Sequence, residues 1–407
     1  MSRKLNVLVA FVCALILCLG GITPVFATEP PAKGEIGTET NPARAAITKL
    51  LKTPVGTVIP AMNFIFTVSA IEVDGTANNG TNMPPVGNVT ISYSGGETAT
   101  PVSNIMTLQK ESADIFAGIP WAHAGVYVYE VREDSAASYT AADPARETLT
   151  YSPGVYTVKV YVKDEGNGPF VYMIGALIST ADNSGQNAGE KVDPTPGGDG
   201  TNYTYSQMIF TNSYVKTNGS GPNDPDNAPL IISKAVAGAF GGIDSAFNFS
   251  ITVTAPSLVP GTPVFNAVWT DAAGSSHPAV PVTSGTPYSF QLKHGEYLSF
   301  IDTPVGTAYS VTEAAANTYT ASARVVYNGS ATAIPGPGIP NTELAIANQL
   351  VGETKNSADF TNTRDDITPT GLNLNDLPFI GLIILAVAGI AGYIVLKTRK
   401  AKKLQAK

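Results

Sequence analysis

The sequence predicts an all-β protein: two tandem β-sandwich domains set between an N-terminal signal peptide and a C-terminal transmembrane helix. Three observations carry this. Segments such as Gly154 to Lys163 and Gly125 to Arg132 alternate side-chain character with period two, the signature of strands. No long segment between the two ends has helical periodicity, and 39 Gly and 30 Pro punctuate a chain rich in Val, Thr and Tyr. The central region also repeats itself, so one sandwich pattern is present twice.

The N-terminus reads as a secretory signal over residues 1–27. Arg3 and Lys4 precede an apolar run from Leu5 to Leu19; Gly20, Gly21 and Pro24 then break the helix. Val25-Phe26-Ala27 places small residues where a signal peptidase reads, so cleavage is expected between Ala27 and Thr28. Both cysteines, Cys13 and Cys18, lie inside this signal, and Leu17 stands where a lipoprotein signal needs a small residue. The processed chain therefore has no thiol, and its stability must come from its core or from another covalent staple. Residues 28–43, rich in Glu, Pro, Gly and Thr, read as a disordered tether.

At the other end, Leu377 to Leu396 is an uncharged apolar stretch long enough to cross a bilayer. Lys397, Arg399, Lys400, Lys402, Lys403 and Lys407 follow in a basic tail, 397–407, that stays cytoplasmic by the positive-inside rule. Upstream, residues 366–376 hold Ile367-Thr368-Pro369-Thr370-Gly371 and a spacer. This resembles the Pro-Thr-Gly core of a sortase sorting signal, with spacer, span and basic tail in order. A sortase thiolate would attack the Thr370 carbonyl, release Gly371 and pass the acyl group to an amine. The sequence thus predicts an exported surface protein anchored to the wall of a Gram-positive-type bacterium.

Between Thr28 and Thr370 the chain has 31 acidic and 16 basic residues. An acidic surface argues against nucleic acid or anionic lipid as a partner. It suits a soluble extracellular object.

The two copies align by short matches. Ile47-Thr48-Lys49 recurs as Ile232-Ser233-Lys234, and Phe64-Ile65-Phe66 as Phe247-Asn248-Phe249. Tyr129 to Glu133 recurs as Tyr309 to Glu313, with Tyr-Thr-Ala six residues after each Glu. Phe210-Thr211-Asn212 recurs as Phe360-Thr361-Asn362. Domains at 44–216 and 229–365 follow, joined by a linker at 217–228. The first is longer through a Gly/Asn-rich insertion, 164–202, expected as a surface loop.

Each copy offers a Lys on its first strand, a Glu mid-domain and an Asn on its last strand. Strand alternation puts Lys49 in phase with Ile47 and Leu51, Glu133 with Tyr129 and Val131, and Asn212 with Phe210 and Tyr214. Lys234, Glu313 and Asn362 are likewise in phase with Ile232, Val311 and Phe360. Any one of these could be a solvated strand-end residue or half of a buried ion pair. All three types, twice, in one order, indicate chemistry. Burial disfavours an isolated charge, so the amine tends to neutral nucleophile and the carboxyl to proton donor. Beside a carboxamide, such an amine can displace ammonia and leave a Lys–Asn isopeptide bond, with proximity replacing a cofactor. No cofactor and no turnover enzyme is implied; the chemistry happens once per domain.

At these residues the chain resembles the streptococcal pilin isopeptide-linkage domain family, found in two-domain pilus shaft subunits. The resemblance implies immunoglobulin-like domains, with Lys49–Asn212 and Lys234–Asn362 crosslinks catalysed by Glu133 and Glu313. It implies sortase, peptidoglycan and neighbouring pilin subunits as partners. The Tyr-x-Val-x-Glu segments resemble the pilin E-box, whereas no Tyr-Pro-Lys-Asn motif supplies an acceptor amine. Lys216 and Lys191 are the nearest substitutes, with Lys216 favoured as an exposed lysine at the end of the first domain.

Other signals carry less. His123, His277 and His294 are scattered, and Asn223 to Asn227 reads better as a solvated linker than as a calcium loop. The competing reading is a stand-alone wall-anchored adhesin that binds a host or surface ligand. It would use the 164–202 insertion or the Pro-rich loop at 334–340.

Overall fold

The computed structural model describes residues 36–197, 205–218, 230–365 and 377–404. The first domain holds β1 (Thr48–Pro54), β2 (Met62–Val73), β3 (Thr76–Ala77), β4 (Val89–Tyr93), β5 (Ile105–Glu111) and β6 (Gly125–Glu133). It continues with β7 (Glu147–Thr150), β8 (Val155–Asp164), β9 (Pro169–Thr180), β10 (Lys191–Val192) and β11 (Ile209–Asn218). The second domain holds β12 (Leu230–Ala237), β13 (Phe247–Thr254), β14 (Val264–Thr270), β15 (Val280–Thr283), β16 (Tyr288–Leu292) and β17 (Tyr297–Ile301). Its remaining strands are β18 (Thr303–Pro304), β19 (Ala308–Glu313), β20 (Thr320–Tyr327), β21 (Ser330–Ile334), β22 (Leu344–Leu350) and β23 (Ser357–Thr363).

In each domain two sheets face each other across one apolar core. The first domain pairs β5-β1-β11-β7 against β10-β9-β8-β6-β2, with β3 and β4 also on β2. The second pairs β15-β14-β17-β12-β23-β20-β21 against β16-β13-β19-β22. Alternation decides which side chains are inside: Phe64, Phe66, Tyr129, Val131, Tyr156, Val158 and Phe210 fill the first core. Phe247, Phe249, Ile251, Val311 and Phe360 fill the second. The all-β class read from the sequence is the class observed.

First and last strands are parallel neighbours in both domains, β1 beside β11 and β12 beside β23. Chain entry and exit therefore fall at opposite ends of each sandwich.

Three local expectations change. The 164–202 insertion is not simply a loop, because Phe170 to Ile178 is an apolar run that forms β9 on β8, returned by β10. Its Gly/Asn content marks the hairpin and the connection, with Gly166 and Gly168 at positive φ, rather than the whole segment. Residues 37–43 are not a free tether: the Gly37 and Ala43 amides donate to Tyr172 and Val171 carbonyls of β9, and Ala43 is buried. The linker begins later than residue 217, because β11 continues to Asn218 and pairs there with β18.

That pairing joins the two domains. The Val305 amide donates to the Lys216 carbonyl, and Gly306, at positive φ, sits where a Cβ would meet Pro54 at 2.5 Å. Lys216 ion-pairs with Glu353 at 2.9 Å, and the Val58 amide donates to the same carboxylate at 2.7 Å.

The C-terminal helix α1 (Leu377–Leu404) is the one helix among the described residues long and apolar enough to cross a membrane, over Pro378–Arg399. It continues past the expected span because the Lys/Arg-rich tail has good helix formers and no breaker before residue 404.

Candidate functional site: a buried amine, carboxyl and carboxamide in each domain

β1 turns Lys49 into the first core, where its residue is fully buried. β11, beside it, carries Phe210 opposite Lys49 and Asn212 opposite Leu51. Lys234 lies opposite Phe360, and Asn362 opposite Val236. In both domains the Asn thus stands two residues beyond the partner of the Lys, on the same sheet face. The carboxyl comes from the facing sheet: Glu133 ends β6 and Glu313 ends β19, each paired with the second Phe of the Phe-x-Phe strand.

The three groups meet. Lys49 Nζ donates to Glu133 Oε1 and Oε2 at 2.9 Å each, and Asn212 Nδ2 donates to Oε1 at 2.8 Å. Lys234 Nζ donates to Glu313 Oε1 at 2.8 Å, and Asn362 Nδ2 to the same oxygen at 2.7 Å. Both amines and both carboxyls have side chains no more than 1% exposed. A phenyl ring lies against each amine, Phe64 at 4.6 Å from Lys49 Nζ and Phe247 at 4.2 Å from Lys234 Nζ.

Burial dominates the electrostatics. It lowers both Lys49 and Lys234 to about 8, although each neighbouring carboxylate pulls the other way. Burial also raises the Glu313 carboxyl above its ordinary range, against the opposing effect of Lys234 and the Asn362 amide. In the second domain the opposed shifts of amine and carboxyl both favour the neutral forms.

The surroundings differ. Asn212 Oδ1 accepts the Ser152 backbone N–H at 2.7 Å, whereas Asn362 Oδ1 and Glu313 Oε2 are buried without a partner. Ser152 Oγ donates to Asp182 Oδ1 at 2.5 Å, and the Thr211 amide donates to the same oxygen at 3.0 Å. Sequence reasoning missed Ser152 and Asp182. Ser152 acts through its main chain, and Asp182 lies in the segment read as a loop.

The remaining candidates sit apart. Lys216 is not the exposed lysine expected, since its ion pair with Glu353 holds it at the domain junction. Lys191 is exposed on β10. His294 Nδ1 accepts the Val236 amide, His277 stacks on Trp269 and His123 lies against Tyr127. Among the described residues no cluster of His, Cys, Asp and Glu is placed to hold a metal ion. Ala27, Thr28, Thr370, Gly371 and the Asn223–Asn227 stretch lie outside the described residues.

The parallel strand pair, its amine and amide, and the carboxyl facing them form one arrangement that both domains share. Residues 45–215 match the family described as the Spy0128-like isopeptide containing domain, and residues 228–364 match a domain of unknown function, DUF7601. The first domain is similar to that isopeptide-containing family, in keeping with the resemblance to streptococcal pilins read from the sequence. A pilin of Streptococcus pyogenes serotype M1 is 27% identical over 223 residues, 49% of this chain and 63% of the pilin; the chain thus spans under two thirds of that relative. Among solved structures, the major pilin of S. pyogenes is 22% identical with TM-score 0.34, covering 80% of this chain and all of the pilin. A second S. pyogenes major pilin, T3.2, is 21% identical with TM-score 0.31, covering 79% and 98%.

Proposed function

We propose that this chain is a structural pilus subunit, exported and fixed by sortase, whose two domains are each closed by an autocatalytic Lys–Asn isopeptide bond. The single observation that carries the reading is the recurrence, in two diverged domains, of one buried Lys–Glu–Asn contact with one strand register. A stabilising ion pair alone would not need the carboxamide on the carboxyl, nor a two-residue offset held twice.

The reaction balances without a cofactor. A proton passes from Lys Nζ to the Glu carboxylate, giving amine and carboxylic acid. Nζ attacks Asn Cγ while the carbonyl oxygen takes up negative charge. The carboxyl delivers its proton to the departing Nδ2 and recovers one from Nζ. The Nζ–Cγ bond forms, the Cγ–Nδ2 bond breaks and one ammonia leaves. Glu133 and Glu313 end as carboxylic acids, each keeping the proton first taken from its lysine. Held in contact in a water-poor core, the partners gain the rate advantage of an intramolecular reaction.

The fold gives the bond a mechanical role. Parallel first and last strands place the domain's two chain ends at opposite poles, so tension shears β1 against β11 and β12 against β23. A covalent link between those strands would carry the load in place of the hydrogen bonds. Sortase transfer at Thr370 would join the subunit to peptidoglycan or to a neighbour's lysine. Mass spectrometry of wall-released protein tests this step: Thr370 should be its last residue, and a C-terminus retaining α1 would overturn it. Lys216 would serve as acceptor only after leaving Glu353; an unchanged polymer ladder in Lys216→Ala would remove it from consideration.

A further inference from the structure

The two sites share three groups but not the fate of the amide oxygen, and in the first domain that oxygen is held by a small built network. We infer that Asp182 is a positioning residue for the crosslink of the first domain, holding the Ser152 N–H as the donor that activates the Asn212 carbonyl. The inference rests on the isopeptide reading above and extends it.

The geometry starts at Tyr151-Ser152-Pro153-Gly154, between β7 and β8. The residue before a proline is kept out of the helical region, which narrows the backbone freedom of Ser152. Gly154 donates its amide to Ser152 Oγ at 3.1 Å, so the hydroxyl is fixed from one side. From the other it donates to Asp182 Oδ1, which also accepts the amide of Thr211, the residue before Asn212. One carboxylate oxygen therefore ties the donor segment to the strand that bears the electrophile. Ser152 N–H reaches Asn212 Oδ1 at 2.7 Å and Glu133 Oε2 at 3.3 Å.

Asp182 is itself buried, and its Oδ2 has no hydrogen-bond partner. A buried, half-satisfied carboxylate is costly, so structure alone gives little reason for it here. The network supplies one. When Nζ attacks, negative charge collects on Oδ1, and a fixed N–H already aimed at that atom stabilises it without reorganising. The N–H keeps its proton throughout; the Nζ–Cγ bond still forms and ammonia still departs with the proton relayed by Glu133. The second domain ends its facing sheet at β22 and has no strand equivalent to β9, the strand that leads to Asp182.

The test is a time course of cell-free synthesis of the ectodomain, with each domain's linked and unlinked peptides quantified by mass spectrometry. The second domain serves as internal control. In Asp182→Ala the Lys49–Asn212 link should form roughly tenfold or more slowly, while Lys234–Asn362 keeps its rate. Asp182→Asn retains an oxygen for Ser152 Oγ and the Thr211 amide, and should restore the rate, which a merely charge-based role would not allow. Ser152→Ala, which deletes only the hydroxyl, should fall between the two and carries the test if Asp182→Ala does not fold. Folded Asp182→Ala or Ser152→Ala linking the first domain at the parental rate would overturn the inference. Absence of both links in the parent would instead overturn the isopeptide reading.

Discussion

The two domains make the same contact in different company. The distances are nearly identical: amine to carboxyl 2.9 and 2.8 Å, amide to carboxyl 2.8 and 2.7 Å. Both lysines are lowered to about 8 by burial. What differs is the oxygen side. The first domain supplies a main-chain donor to its Asn, while the second leaves Asn362 Oδ1 and Glu313 Oε2 unpartnered. Burial raises the Glu313 carboxyl against the opposing effect of Lys234 and Asn362. Strand register and core phase thus preserve the three groups, and local additions such as β9 decide what surrounds the amide oxygen.

The largest effect should come from removing the carboxyls. Glu133→Ala and Glu313→Ala should each retain one ammonia, because amine and amide remain without a proton carrier. By analogy with disulfides, a link closing 163 or 128 residues contributes about 5 kcal/mol, and the two loops differ by only a few tenths. Calorimetry should therefore show similar losses for the two variants, with faster proteolysis of the affected domain. A loss in one domain alone would break the equivalence of the sites.

A smaller effect separates the sites by pH. Asn212→Ala and Asn362→Ala leave each lysine buried and unlinked. The folded lysine near 8 lies below its ordinary 10.5, so the folded state binds fewer protons in that window and gains stability as pH rises through it. The gain is on the order of 3 kcal/mol at most, measured against the linked parent. Glu313 has the opposite sign. Its folded carboxyl holds a proton above the ordinary 4.5, so Asn362→Ala should also lose stability as pH rises from that value. Denaturant titrations across pH check both; a flat difference from the parent would contradict the burial argument.

The junction offers the smallest change. Glu353→Ala removes the partner of Lys216 and the acceptor of the Val58 amide. As a partly exposed pair it should cost about 1 kcal/mol or less and leave both links intact. Loss of either link in this variant would show that the domains do not form their bonds independently.

Much of this was legible beforehand because strands have a period of two. Lys49, Glu133 and Asn212, with their counterparts, stand in phase with apolar neighbours, and phase alone places them inside. Phe64 and Phe247 were visible as repeated residues, but nothing in the pattern indicated that their rings would face the amines. β9 is masked in the sequence because flanking glycines and asparagines outweigh the apolar run Phe170 to Ile178, which by its own composition is a strand. Asp182 and Ser152 left no trace because their meeting depends on that strand and on a main-chain amide. The Lys216–Glu353 contact joins residues 137 apart across two domains, beyond what local pattern can specify.

The intact mass of the purified ectodomain tests the central claim most directly. The account predicts a mass below that of the sequence by two ammonias, one per domain, with Lys49–Asn212 and Lys234–Asn362 peptides recovered after digestion. A mass equal to the unmodified sequence would contradict it, leaving two ordinary sandwiches with buried ion pairs.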